Sequence, residues 1–310
     1  MGDNQVNYDM TTTTSLSQAV LTVYSKDIMF HAQPVLRYAQ FATKKTELGV
    51  TPGLKITFMR YNNLDLGGAL EEDTPMGTQA LTASQVHIEV KEYGNAVKVS
   101  ELLLQSSFDD VLASGARLLG LDYAKVVDIM FRDTVLASPN VYYAGDVADR
   151  EALADNSDGK AEFNSAVIQD AVEVLETKNV RKFNGDAFIC FIHPHQARTL
   201  KDDPDFKNAK DYGAIYAGEI GRVDDVIFIS TTQQPVIEVD PDENPDSGDE
   251  FNIYQAIMFG DNAYGWAEAL PVEMRDGGIE DFGRSHSLAW YSIMGAGIIE
   301  EDNILILETR

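Results

Sequence analysis

The stretch Val86-His87-Ile88-Glu89-Val90-Lys91-Glu92 alternates apolar and charged residues, and the chain after it changes to a helical period. The alternation is the period-two signature of a strand with one buried face. A turn is expected at Gly94-Asn95, with the strand resuming as Val97-Lys98-Val99-Ser100. From Asp109 onward, Leu112, Ala116, Leu119, Tyr123, Val126, Met130 and Thr134 recur every three or four residues, one stripe of an amphipathic helix. Asp109 or Ser107 caps its start, and Ser138-Pro139 stops it, since proline lacks the donor and disfavours helical geometry just before it. At 1.5 Å per residue such a helix is roughly 40 Å long, the width of a domain. It reads as a spine.

A chain of 310 residues exceeds what one core usually supports, so two sub-domains are expected. Its 44% hydrophobic content is that of a globular protein. The net charge of −26 argues against binding nucleic acid through the phosphates or an anionic lipid surface, and favours solubility. Cys190, alone within Phe188-Ile189-Cys190-Phe191-Ile192, reads as a small core residue and leaves no intrachain disulfide, which fits a reducing compartment. No stretch is apolar for long enough to span a membrane, and Met1-Gly2-Asp3-Asn4 does not begin a signal peptide. Myristoylation at Gly2 fails because Val6 stands where the motif needs Ser or Thr. The expected site of synthesis is a cytoplasm.

Outward from the spine, residues 1–15 read as a polar arm, followed by a helix from Ser15 or Ser17 toward His31 and, after Pro34, a second helical piece from Val35 to Thr43. Two helices jointed at proline suit packing on a neighbour better than a compact core. Leu54-Lys55-Ile56-Thr57-Phe58 pairs with 86–92 as a hairpin whose tip, 64–79, is too long for an ordinary turn. Leu64, Leu66, Leu70 and Met76 are poor choices for a loop left in water, and Gly67 and Gly68 permit close backbone approach. The tip is therefore expected to meet another chain; a solvated surface loop is the competing reading. Residues 140–163 read as turn-rich. Ala154-Asp155-Asn156-Ser157-Asp158-Gly159 fails as a calcium loop, because Ala154 and Ser165 occupy its first and twelfth ligand positions. Residues 163–235 alternate a helix capped by Asn164 or Ser165, a strand at 187–192, a short helix from His195 to Leu200 and a strand at 226–230. The acidic loop 238–250 reads as a solvated insertion, with weak calcium binding as the competing reading, and strands close the chain at 254–259, 288–294 and 304–308, with Gly295-Ala296-Gly297 as a turn.

Chemistry-bearing motifs are sparse. His193-Pro194-His195 with Asp202, Asp203 and Asp205 is the best metal candidate, and a metal-dependent hydrolase centred on it is the rival reading. The local account is that His193 ends a strand and Pro194 starts a helix. No Walker loop, Gly-x-Ser-x-Gly, dinucleotide fingerprint or cysteine pair is present. The reading assigns no catalytic, cofactor-binding or metal residues.

Taken together, Ala80-Leu81-Thr82-Ala83-Ser84-Gln85, the strand 86–92, Tyr93-Gly94-Asn95-Ala96-Val97, the acid-capped long helix, and Ile192-His193-Pro194-His195-Gln196 through Asp202-Asp203-Pro204-Asp205-Phe206 resemble the major capsid proteins of tailed bacteriophages. More narrowly they resemble the coat-protein group of the N-four-like phages, over residues 15–310. The resemblance implies the Hong Kong 97-type capsid fold, an α+β architecture. Its parts would be an N-terminal arm (1–50), an extended β-hairpin loop (51–95), a peripheral domain with the spine helix (96–160), an α/β axial domain (161–270) and C-terminal strands returning to the peripheral domain (271–310). It implies hexamers and pentamers tiling an icosahedral shell around double-stranded DNA. The tip residues Leu64, Leu66, Gly67, Gly68, Leu70 and Met76 would lie on the adjacent subunit. It further implies assembly in a host bacterial cytoplasm with a separate scaffolding protein and a portal, possible decoration proteins, a precursor shell that expands, no cofactor, no specific nucleic-acid binding and no membrane. Nothing at Lys55, Asn62 or Asn63 supports a covalent cross-link. A phage tail or encapsulating-compartment subunit is the other self-assembling alternative.

Overall fold

The computed structural model describes residues 36–45, 55–61, 64–69, 78–107, 110–155, 161–204, 206–208, 211, 213–239 and 251–310. The polar arm 1–15, the helix expected between Ser15 and His31, residues 156–159 of the failed calcium loop and residues 240–250 of the acidic loop lie outside them. The strands are β1 (Thr43–Lys45), β2 (Lys55–Tyr61), β3 (Ala83–Glu89), β4 (Lys91–Ser100), β5 (Val141–Tyr143), β6 (Phe188–Ile192) and β7 (Lys207–Asn208). After them come β8 (Glu219–Val223), β9 (Val226–Ser230), β10 (Val236–Val239), β11 (Phe251–Phe259), β12 (Tyr264–Glu280), β13 (Ser285–Ile298) and β14 (Ile304–Thr309). The α-helices are α1 (Glu101–Ser106), α2 (Val111–Leu136), α3 (Arg150–Asp155), α4 (Ser165–Thr177) and α5 (Pro194–Lys201). Two compact units interleave along the chain: 92–126 with 270–293, and 37–91 with 127–269 and 294–310.

In the first unit, the strand parts 270–280 and 285–293 accompany β4 and the opening turns of α2. Asp110, one residue beyond the expected cap, accepts the Ala113 N–H at 3.1 Å and so satisfies one of the free donors at the helix start. Trp290 is buried edge-on against Tyr123 (5.4 Å), and its indole N–H donates to Asp122 (2.9 Å). The turn expected at Gly94-Asn95 is not there. β4 runs straight through, and Gly94 is needed because a Cβ would stand 2.8 Å from the Trp290 carbonyl.

Helix α2 has 26 residues, the spine the sequence predicts. Its buried stripe follows the expected residues through Ala116, Leu119 and Tyr123, then continues through Val127, Phe131 and Val135 instead of Val126, Met130 and Thr134. Apolar residues occupy both registers in that half, so the pattern alone does not choose between them.

In the second unit, an eight-stranded sheet has the order β5-β14-β11-β6-β9-β8-β7, with β10 also paired to β11. β6 is buried on both faces, like a central parallel strand, and pairs parallel to β9. Phe188, Cys190 and Ile192 face the α4 side with Ile168, Leu175, Phe228 and Met258. Asn164 caps α4 through the Val167 N–H. Burial pushes the Cys190 thiol well up, which leaves it an inert core residue, as its setting in the sequence indicates. The turn-rich reading of 140–163 misses β5, which pairs parallel to β14, and α3. α3 supplies Arg150, whose guanidinium makes a two-point contact with the fully buried carboxylate of Glu308 on β14; Gln255 donates to the same carboxylate at 2.7 Å.

The helical piece expected from Val35 to Thr43 is, over its described part, a single 3₁₀ turn, Tyr38–Gln40, followed by β1, and it is fastened inside its own unit. Tyr38 stacks on Phe191 at 4.0 Å, and Phe41 packs among Phe183, Phe191 and Phe259. The buried carboxylate of Asp128 accepts the backbone N–H groups of Arg37 (3.0 Å) and Tyr38 (3.3 Å), and the Tyr38 hydroxyl donates to Gln234. Desolvation outweighs these hydrogen bonds and lifts Asp128 to about 6. The folded chain therefore holds a proton that the unfolded chain releases from about pH 4 upward. Asp128 should thus favour folding most at low pH and progressively less as the pH rises to about 6. Urea midpoints across that window, compared with Asp128→Asn, should differ by a slope summing to about 3 kcal/mol. Parallel curves would show that Asp128 titrates normally.

Candidate inter-subunit surface

The hairpin β2–β3 is a separate two-stranded sheet. Its antiparallel register runs from Lys55↔Glu89 through Ile56↔Ile88 and Phe58↔Val86 to Tyr61↔Ala83, the pairing the alternation predicts. On one face Lys55 meets Glu89 (2.8 Å) and holds its carboxyl below the usual range, and Thr57 bonds His87 (2.9 Å). On the other face Ile56, Phe58 and Ile88 are buried.

That buried root sits on glycines. A Cβ on Gly265 would stand 2.8 Å from Phe58 and 3.1 Å from Ile88; on Gly297, 2.6 Å from Ile88; on Gly295, 2.1 Å from the Glu89 carbonyl oxygen. Gly295-Ala296-Gly297 is thus no turn. It lies within β13, where glycine admits another backbone. Lys45 donates to the Thr57 carbonyl and lies over the Phe58 ring, and Arg60 pairs with Glu300 at 2.6 Å. Because Gly295 faces backbone rather than a yielding side chain, Gly295→Ala should cost about 1–3 kcal/mol in chemical denaturation. An unchanged midpoint would contradict this packing.

Past Phe58 the burial ends. Met59 (59% exposed), Tyr61, Leu64, Leu66 (99%) and Leu81 all face solvent. Gln79 closes the neck of the tip by accepting the Asp65 N–H at 2.9 Å and donating to the Asp65 carbonyl. Of the tip residues singled out from the sequence, Leu64, Leu66, Gly67 and Gly68 are exposed, and nothing lies within 4 Å of where a Cβ on either glycine would be. Leu70 and Met76 lie outside the described residues. Sequence reasoning missed Met59, Tyr61 and Leu81; the signal available was that apolar residues continue beyond Phe58, where the root ends.

The alternative centre resolves locally. His193 is the N-cap of α5, its Nδ1 accepting the His195 N–H while Gln196 accepts the His193 N–H. Both imidazoles stack on Tyr254. Burial and the neighbouring His195 lower the pKa of His193. Among the described residues, no group of three or more His, Cys, Asp or Glu side chains is placed to share a metal ion; Asp205 lies outside them. Among them too, no helix is long and apolar enough to cross a membrane.

A family model described as phage capsid protein matches residues 83–306. The chain belongs to that family. No curated protein matches it in sequence. Solved structures share the fold at low identity. The capsid of Ralstonia phage GP4 has a TM-score of 0.72 at 16% identity, with 87% of each chain covered. The head of Helicobacter pylori bacteriophage KHP40 has 0.63 at 14%, again with 87% of each covered. The capsid of cyanophage Pam1 has 0.60 at 13%, with 87% of this chain and 88% of that one covered. This phage capsid protein accordingly has the α+β, Hong Kong 97-type fold.

Proposed function

We propose that this capsid protein builds its shell as hexamers and pentamers in which the β2–β3 hairpin of each copy lies over the next. The observation carrying the proposal is a hairpin buried at its root and apolar in its distal half, where Met59, Tyr61, Leu64, Leu66 and Leu81 face water. Exposed apolar residues clustered on a projecting element fit an interaction site better than a solvated loop. Leu64, Leu66, Gly67, Gly68, Leu70 and Met76 are assigned to that contact. The division into arm (1–50), extended loop (51–95), peripheral domain (96–160), axial domain (161–270) and returning strands (271–310) belongs to the same proposal. The role is mechanical rather than catalytic, and the acidic surface suits a shell that must not cling to phosphates. Assembly in a bacterial cytoplasm with a scaffolding protein and a portal completes the reading. Negative-stain microscopy of the purified chain, alone and with a scaffold, tests it: closed shells are expected, whereas tubes, isolated rings or a persistent monomer would overturn it.

A further inference from the structure

A cleft of about 800 Å³ opens where Met59, Arg60 and Tyr61 of β2 face Lys178, Arg181 and Glu300. Four cations, Lys45, Arg60, Lys178 and Arg181, meet three carboxylates there, a local reversal in a chain of 24 basic and 50 acidic residues. Two of those carboxylates are already engaged, Glu300 by Arg60 (2.6 Å) and Asp302 by Lys178 (3.4 Å). The third, Asp261, accepts the backbone and side-chain N–H groups of Asn262. Lys45 is held over the Phe58 ring, and among the described residues neither it nor the exposed Arg181 is ion-paired. The cleft is therefore short of negative charge, and the exposed Met59 and Tyr61 give it an apolar wall.

The same chain carries a segment of matching charge. Residues 240–250, outside the described residues, read Asp240-Pro241-Asp242-Glu243-Asn244-Pro245-Asp246-Ser247-Gly248-Asp249-Glu250, six acids and no base. Its two prolines reduce the freedom lost when the segment is held. Length keeps it from the cleft of its own copy. Val239 and Phe251 are paired, so the segment leaves and returns at one neck, and its middle reaches at most about 22 Å from there. That neck is at the start of β11, which spans about 27 Å from Phe251 to Phe259. The cleft lies past the far end. Gly260 continues the ladder by donating to the Asn303 carbonyl (3.0 Å), and the Asp261 N–H donates to the Arg181 carbonyl (2.8 Å). A segment at one end of the sheet and a receiving cleft at the other make a head-to-tail contact, which closes a ring when repeated.

We propose that this cleft receives residues 240–250 of the adjacent copy in the ring, with Lys45 and Arg181 supplying the countercharge. The inference rests on the ring-forming assembly proposed above. It is tested on shells assembled from equal amounts of 15N-labelled and unlabelled chain. A carbodiimide, which joins a carboxylate to an amine in contact with it, is applied and the coupled peptides are identified by mass spectrometry. The Lys55–Glu89 pair within each copy serves as the control. The expected products join 240–250 to Lys45 or Lys178 with one labelled and one unlabelled half. In Arg181→Glu their yield should fall about ten-fold while Lys55–Glu89 coupling is unchanged. Assembled shells in which the control couples but 240–250 reaches neither lysine would overturn the assignment and leave the ring reading standing. Coupling confined to single copies, mixed products joining those lysines to another segment, or a yield indifferent to Arg181→Glu would overturn it as well. A chain that stays monomeric, with the control coupled and no mixed product, would overturn the ring reading and this inference together.

Discussion

Substituting Leu64 and Leu66 together by aspartate should abolish shell formation while leaving the subunit folded. Both side chains are exposed and contribute little to the stability of one chain, so thermal unfolding should move by no more than about 0.5 kcal/mol. In an interface the balance reverses. Each buried leucine is worth about 1.5–3 kcal/mol, and each introduced carboxylate adds a charge that must be desolvated against a partner already strongly acidic. The loss recurs at every copy around a ring, so a deficit that weakens one contact eliminates the closed assembly. Sedimentation should show subunits in place of shells. If the doubly substituted chain closes shells normally, the tip is a solvated loop and the hairpin's role must be sought in Met59, Tyr61 or Leu81.

A large stability effect is expected at Arg150. Glu308 has no exposed side-chain surface, and its carboxyl group is met by Arg150 and Gln255. Arg150→Ala would leave that carboxylate short of a partner inside the sheet; because the Arg150 side chain is itself 46% exposed and its removal admits water, the cost is about 2–3 kcal/mol, below that of a fully buried pair. Set against a total stability of about 5–15 kcal/mol, that loss is a large fraction of what holds the fold. Replacing both partners with apolar residues of similar size, Arg150→Met with Glu308→Leu, should recover most of it, because the desolvation cost disappears with the charges. Urea denaturation of the three proteins distinguishes a buried-charge penalty from mere loss of packing: in the latter case the double variant would be no better than the single.

What the sequence revealed, and what it hid, follow from where each constraint is written. The alternation in 86–90 and the three-to-four spacing from Leu112 are local, and local patterns set the hairpin and the spine. β12 was unreadable because Gly265, Pro271, Gly277 and Gly278 interrupt it with residues that signal turns. Gly265 and Gly297 are there because Phe58 and Ile88, far away in sequence, need their space. The 3₁₀ turn at Tyr38–Gln40 is likewise fixed by a remote carboxylate, Asp128. Arg150 and Glu308 were invisible as a pair for the same reason. Of the hairpin's exposed apolar residues, Leu64 and Leu66 were legible from composition, whereas the exposure of Met59, Tyr61 and Leu81 shows only once the root is seen to end at Phe58.

The glycine seat beneath the hairpin has a mechanical consequence. Tyr61 stands about 17 Å along β2 from Ile56, whereas the seat is only a few side chains wide. Any push or pull on the far end therefore acts as a torque about a short fulcrum, and the force borne by Phe58 and Ile88 exceeds the one applied. A load on the tip would concentrate strain at this joint rather than along the exposed strands.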